Sequence, residues 1–101
     1  NYDFIRKMKG LTQLYIYSAP NLEDISFILD LPRLRYLFIN DTGLKDLKPL
    51  LKYKKKGKYD NFSLLNVGIV KSKIEKIPPK LLEQRFSQFY VFDSPVEVKK
   101  L

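Results

Sequence analysis

The sequence contains no cysteine and no histidine. Without cysteine the chain forms no disulfide, offers no thiol nucleophile and supplies no thiolate ligand to a metal. Without histidine it lacks the side chain that most often acts as a general base near neutral pH. Its four glycines are isolated, so no glycine-rich phosphate-binding loop is present. We therefore predict a noncatalytic protein with no catalytic residues, no metal site and no cofactor.

Long apolar runs are also missing. No segment approaches the ~18 apolar residues of a membrane-spanning helix, and the longest candidate, residues 34–39, is interrupted by Arg35. We expect no membrane span. The absence of cysteine suits a cytoplasmic location. A secreted or surface location stays open, because the sequence begins at Asn1 rather than at a methionine that would precede a signal peptide.

Positive charge is concentrated in one segment. The chain carries 19 Lys and Arg against 11 Asp and Glu, a net charge of +8, and residues 45–58 alone contain seven lysines and one acid. The candidate basic patch is Lys52, Lys54, Lys55, Lys56 and Lys58. A solvated loop is one interpretation. Contact with nucleic acid or another anionic surface is the alternative, and there Tyr53 and Tyr59, which flank the run, could stack on bases.

One spaced motif recurs four times along the chain, at nearly regular intervals. Two apolar positions separated by one residue face one side of a strand, and the residue between them faces the other side. A single unit cannot bury its apolar side alone, so stacked parallel strands are expected. The four motifs are Leu11-x-x-Leu14-x-Ile16, Leu34-x-x-Leu37-x-Ile39, Phe62-x-x-Leu65-x-Val67 and Phe86-x-x-Phe89-x-Val91.

This spacing resembles the leucine-rich repeat family, in its short-repeat, bacterial internalin-like type. The resemblance implies an α/β solenoid, with parallel strands on the inner face and short helices or turns on the outer face. It also implies a partner-binding surface rather than an enzyme. The family usually has Asn or Cys at the eighth position after the motif start, whereas this chain has Ala19, Thr42, Val70 and Ser94.

We expect residues 1–101 to form one domain, with 52–61 as a lysine-rich inserted loop. A helix is predicted from about Leu47 to Tyr53, and a second, short one is predicted after the prolines at 78 and 79. The domain is expected to be truncated at both ends. At the start, Tyr2, Ile5 and Met8 match the back half of an earlier repeat. They precede Ile25, Ile28 and Leu31 by 23 residues, which is also the interval from the first motif to the second.

The inner strand face is the predicted binding surface, because exposed aromatic side chains often mark protein contacts. Gly68 is expected to leave a notch beside Asn66, or else to mark a strand bulge. Simple cross-strand packing of the rings, or self-association, are the alternatives. The predicted contact residues are Tyr15, Tyr17, Tyr36, Phe38, Asn40, Tyr90 and Phe92, and the predicted polar rim is Arg35, Asn40, Asp41, Gln88 and Asp93.

Overall fold

The computed structural model describes residues 2–55, 66–84 and 86–100. These residues form a small α/β structure with five strands and four short helices. The strands are β1 (Gln13–Ala19), β2 (Tyr36–Thr42), β3 (Asn66–Val70), β4 (Gln88–Phe92) and β5 (Val98–Lys100). The α-helices are α1 (Lys48–Lys55) and α2 (Pro79–Leu82), and two 3-10 helices span Asp3–Lys7 and Ser26–Asp30.

The strands form one open sheet in the order of the chain. β1 to β4 are parallel, as the motif spacing predicts, and β5 turns back to pair antiparallel with β4. The helical segments lie in the connections and also pack in chain order: the first 3-10 helix contacts the second, the second contacts α1, and α1 contacts α2. The predicted helices near Leu47 and after Pro78 are confirmed, although α1 continues to Lys55.

The core lies between the helices and one face of the sheet. On β2, β3 and β4 the paired inward residues are fully buried: Leu37 and Ile39, Val67 and Ile69, Phe89 and Val91. They pack with leucines and isoleucines of the connections in one cluster. Each fully buried side chain of this kind contributes about 1.5–3 kcal/mol through removal of apolar surface from water. This burial is what holds the strands against the helices.

The strand register corrects the third motif by two positions. The sequence interpretation takes Leu65 and Val67 as the inward pair, but Val67 pairs with Leu37 and Ile69 pairs with Ile39. A shift by two positions keeps every side chain on its own face, so the alternation of apolar residues does not detect it. Gly68 thereby aligns with Phe38, and Asn66 aligns with Tyr36.

Four residues in the left-handed backbone region lie at the same place on β1 to β4. Ser18, Asp41, Lys71 and Asp93 have φ values of 53°, 62°, 57° and 52°. The pairing of Tyr17, Asn40, Val70 and Phe92 across the sheet puts all four at one level, one position further on. L-residues rarely adopt this conformation, which costs of order 1–2 kcal/mol each. Its repetition shows that every parallel strand ends in the same turn.

Hydroxyl groups stabilise this corner. Thr42 Oγ1 accepts a hydrogen bond from the backbone of Leu44 at 3.3 Å, and Ser72 Oγ accepts one from Ile74 at 3.3 Å. Ser94 Oγ lies 2.8 Å from Ser72 Oγ. The predicted alignment placed Val70 at this corner. The observed register places Ser72 there instead, so three hydroxyls, not two, bond the turning backbone.

The two 3-10 helices share the same backbone hydrogen bonding. Ile5 and Ile28 are the buried residues at equivalent places in the two helices. The backbone hydrogen bonds Ile5–Tyr2, Met8–Ile5 and Leu11–Met8 recur as Ile28–Ile25, Leu31–Ile28 and Leu34–Leu31. Arg6 joins the helices through a 2.6 Å ion pair with Asp30. The expected match between residues 2–8 and 25–31 is thus present in the backbone bonding.

Strand β5 was missed by the sequence interpretation. It is a three-residue strand that follows a turn in which Glu97 Oε2 accepts a hydrogen bond from the backbone of Asp93 at 2.9 Å. A strand this short carries almost no periodic signal. Its effect is to cover the outer edge of β4 with a segment that contains Lys99 and Lys100. Charged residues on an edge strand disfavour further strand pairing.

Tyr53 of α1 belongs to the core. Its side chain is 3 % exposed, and its hydroxyl donates towards the carbonyl oxygens of Leu31 at 2.7 Å and Leu34 at 3.2 Å. The bond anchors the helix to the segment that leads into β2. Burial raises the pKa of Tyr53 above its ordinary value of 10.0, because the charged phenolate is poorly solvated there.

Replacing Tyr53 by Phe should lower the free energy of unfolding by about 1–2 kcal/mol at pH 7, since the carbonyl oxygens of Leu31 and Leu34 lose the hydrogen bond from the hydroxyl. The raised pKa means that the unfolded chain loses its phenol proton first as pH rises. The stability due to Tyr53 is therefore present below pH 10.0 and is lost above it. Urea unfolding of wild type and variant at pH 7 and above pH 10 measures this. Tyr17→Phe, at an exposed site, is the control, and an equal loss there would contradict the assignment.

Replacing Lys71 by Asn should raise the free energy of unfolding by about 0.5–1 kcal/mol, because Asn tolerates the left-handed region better than Lys does. The matched control is Lys73→Asn, which removes the same charge two positions away, outside the left-handed set. Thermal unfolding compares the two. Equal effects of the two substitutions would show that charge, rather than backbone conformation, is responsible.

Candidate functional site

The predicted contact residues all lie on the face of the sheet opposite the core, which we call the open face. Tyr15 and Tyr17 are 54 % and 58 % exposed, and Tyr36 and Phe92 are also exposed. Phe38, Asn40 and Tyr90 are partly buried. The register arranges the face in three rows: Gln13, Tyr36, Asn66, Gln88; Tyr15, Phe38, Gly68, Tyr90; and Tyr17, Asn40, Val70, Phe92.

The aromatic side chains of the open face form two groups. On the β1 side, the Phe38 ring lies 6.2 Å from that of Tyr15 and 5.6 Å from that of Tyr17, with tilted planes. On the β4 side, the rings of Tyr90 and Phe92 stack at 5.1 Å. Such pairs contribute about 0.5–1.5 kcal/mol each beyond area burial. The rings therefore support one another, yet Tyr15 and Tyr17 keep more than half of their surface in solvent.

Gly68 lies between the two groups, and its lack of a side chain lets them meet. A Cβ atom added there would lie 2.9 Å from Cδ1 of Phe38 and still closer to the phenol of Tyr90. The pairing with Phe38 and Tyr90 continues through Gly68 without interruption, so the predicted bulge is not found. The space directly above Gly68, predicted as a notch for a partner, is occupied by the chain's own Tyr90 and Phe38.

A shallow depression of about 250 Å³ remains beside these rings. Asn66 and Gly68 contribute to its lining. Tyr15, Tyr36 and Phe38 line it on the β1 side, and Gln88 and Tyr90 line it on the β4 side. The depression is large enough for one side chain of a partner, and its lining residues include two carboxamides and three tyrosines.

The predicted polar rim surrounds this face. Arg35, Gln88, Asp41 and Asp93 are exposed, and Asp41 and Asp93 occupy equivalent corner positions with Lys71 between them. The described residues contain no group of three or more potential metal-ligating side chains. The rim therefore offers scattered charges of both signs rather than a joint carboxylate site.

The lysine-rich segment is only partly described. Lys52 is exposed on α1, and Lys54 and Lys55 belong to the last turn of that helix. Lys56, Lys58 and Tyr59 lie outside the described residues. The proposed base-stacking role of Tyr53 is wrong, because its ring is buried and its hydroxyl is bound to backbone carbonyls. The sequence did not predict the burial of Tyr53, because its neighbours at 52, 54 and 55 are lysines, which are typical of an exposed surface.

A larger groove of about 930 Å³ lies near the strand corners, and no motif in the sequence indicates it. Its lining includes prolines 20, 78, 79 and 95 together with four lysines and three carboxylates. Lys45 lies 4.0 Å from Glu23, and Asp46 accepts the backbone hydrogen of Lys48, so part of this charge is internally matched. With four lysines and three carboxylates, the groove is close to charge balance, so its charge gives little basis for selecting a ligand.

Comparisons with protein-family models, with curated proteins and with solved structures find no match to this chain. The helices among the described residues are too short or too polar to cross a bilayer. The geometry of the open face and its rim is therefore the basis for assigning a function.

Replacing Gly68 by Ala should destabilise the protein by about 1 kcal/mol or more, because the new methyl displaces the rings of Tyr90 and Phe38. In a Tyr90→Ala background the same substitution should cost much less, since one ring has been removed and alanine is better than glycine in a strand. Urea unfolding of the four proteins gives the coupling energy. Strictly additive effects would contradict the observed contact.

Proposed function

We propose that this chain is a short leucine-rich-repeat solenoid that binds a partner protein, without catalysis, through the open face. Three features support the repeat assignment: the in-register parallel strands, the four equivalent left-handed corners and the 3-10 helix that recurs with the same backbone bonding one repeat later. Repeats of this kind stack to present an extended surface on the strand side.

The observation that carries the binding proposal is the composition of the open face. Its twelve positions on β1 to β4 contain no charged residue, although 30 % of the chain is charged. Charged side chains begin at the edges, with Arg35, Lys71 and Asp93. A core depleted in charge and rich in tyrosine, inside a polar rim, is the composition of protein–protein contact surfaces.

Simple cross-strand packing explains less of the arrangement. Tyr15 and Tyr17 both contact the ring of Phe38, yet each keeps more than half of its surface in solvent. Rings that served only to shield the sheet would be expected to bury more of their own area. A partner that covers the face would remove this tyrosine surface from water and could insert a side chain into the depression over Asn66.

The lysine-rich segment supports the alternative, binding to an anionic surface, less well. Its flanking Tyr53 is unavailable for stacking, and the lysines observed belong to the helical side rather than to the open face. The two functions differ in salt dependence. Lysine–phosphate binding weakens steeply as salt rises, whereas burial of an uncharged aromatic surface does not.

The test is affinity capture from a lysate of the source organism with wild type and with a Tyr15→Ala, Phe38→Ala, Tyr90→Ala variant. We expect a protein that wild type retains at high salt and that the variant loses. Phe4→Ala with Met8→Ala, which removes two exposed apolar side chains outside the open face, is the matched control and should retain it. Circular dichroism establishes that each variant is folded.

A photo-crosslinking amino acid at position 17 should then join the retained protein covalently, and one at position 4 should not. Crosslinking from position 4 alone would place the contact elsewhere. Loss of all binding at high salt, with nucleic acid in the low-salt eluate of both proteins, would contradict the open-face function and favour the lysine-rich segment.

A further inference from the structure

The last strand adds one charged residue to the open face. β5 pairs antiparallel with β4, and the register sets Lys99 directly opposite Tyr90. Residues directly opposite each other in an antiparallel pair point their side chains to the same side of the sheet, about 5 Å apart. Because Tyr90 belongs to the open face, Lys99 belongs to it too. The middle row of the face, which runs from Tyr15 on β1 to Tyr90 on β4, therefore ends in Lys99.

The ammonium group of Lys99 is available to a ligand. Its residue is exposed, and the ion pairs found within the described part of the chain do not include it. The ring of the neighbouring Tyr90 lies away from Lys99, over Gly68 on the other side of β4, and stacks on Phe92 at 5.1 Å. Lys99 thus keeps a positive charge on the open face without a described partner of opposite charge.

The carboxylates nearest to this face lie towards the ends of the strands. Asp41 and Asp93 each follow the middle row by three positions, about 10 Å further along the strand. Glu97 is nearer to Lys99, but its Oε2 already accepts a hydrogen bond from the backbone of Asp93 at 2.9 Å. Within the described part of the chain, a ligand that lies across the middle row therefore meets one charge, that of Lys99.

Lys99 lies at a definite spacing from the depression. The depression is centred on β3, where Gly68 and Asn66 line it, and its lining contains no charged residue. Adjacent strands are about 5 Å apart, so β5 lies about 10 Å from β3 across the sheet. A partner that covered both places without an acceptor for Lys99 would remove a charge from water and leave it unpaired, which weakens binding.

We propose that the partner contributes a segment that places an uncharged side chain in the depression and an Asp or Glu carboxylate beside Lys99. In an extended segment, residues two or four positions apart share a face and are separated by about 7 Å or 13 Å. The flexible stem of Lys99 reaches a carboxylate at either position. The net charge of +8 also attracts an acidic segment and repels a basic one. This inference rests on the proposed open-face function and adds the chemical class of the partner.

The probe that tests it is a library of short random peptides displayed on phage. The library is selected on wild type and depleted on the Tyr15→Ala, Phe38→Ala, Tyr90→Ala variant, so that the peptides kept are those that need the open face. We expect the kept peptides to share an Asp or Glu two or four positions from an uncharged residue. Fluorescence anisotropy at physiological salt then gives their dissociation constants.

Lys99→Glu should weaken the binding of the kept peptides about tenfold or more, because an attraction becomes a like-charge repulsion. Lys99→Gln removes the charge without reversing it and should give an intermediate affinity. Changing the shared acid of the peptide to Lys should restore binding to Lys99→Glu. The matched control is Lys73→Glu, which makes the same change in net charge in the groove near the strand corners and should bind within about twofold of wild type.

The outcomes separate this inference from the function on which it rests. Peptides that need the open face but bind wild type and Lys99→Glu equally would overturn the inference and leave the open-face function standing. Kept peptides enriched in Lys or Arg would also overturn it and would point to the carboxylates at the strand ends. A library with no peptide that depends on the open-face rings would overturn it as well, whereas the open-face function is judged separately by capture and crosslinking.

Discussion

The parallel register of β1 to β4 is the constraint on which the rest of the structure depends. Each strand buries an alternating apolar pair against the connections, and each ends in a left-handed residue at the same level. The left-handed turns cost backbone energy, which the buried apolar pairs and the hydroxyl bonds of Thr42 and Ser72 offset. The register also decides which residues become neighbours on the opposite side of the sheet.

The neighbours set by the register determine the ring packing and the charge distribution of the open face. The register puts Gly68 between Phe38 and Tyr90, and only glycine leaves room for both rings to approach there. It also collects twelve uncharged residues on one surface, while charged residues such as Arg35, Lys71 and Asp93 fall on the rim. Uncharged aromatic surface at the centre and mixed charge at the edge are what distinguish this face from an ordinary solvated sheet.

Much of this arrangement could be read from the sequence, because alternation within a strand fixes the face of each side chain. The outward positions of Tyr15, Phe38 and Tyr90 followed from their place between apolar residues. The third motif was placed two positions too early in the sequence, since a shift by two preserves alternation and the motif beginning at Phe62 has the same spacing as the one that the strand pairing shows. The register of β3 against β2 depends on contacts between strands that are distant in sequence, so the sequence of β3 alone does not specify it.

Other features were not predictable for similar reasons. β5 is too short to show periodicity, and its pairing is antiparallel, outside the repeating pattern. The burial of Tyr53 depends on two carbonyl acceptors, those of Leu31 and Leu34, that are distant in sequence. Local sequence reports the faces of elements well and the contacts between distant elements poorly.

The most direct measurement is a nuclear Overhauser spectrum of the protein with isotope-labelled glycine. If the register is right, the backbone protons of Gly68 show cross-strand contacts with Phe38 and Tyr90, and ring currents shift its α-protons upfield. Tyr90→Ala should abolish most of that shift. Contacts from Asn66, rather than Gly68, to the backbone of Phe38 and Tyr90 would contradict the register and the open face built on it.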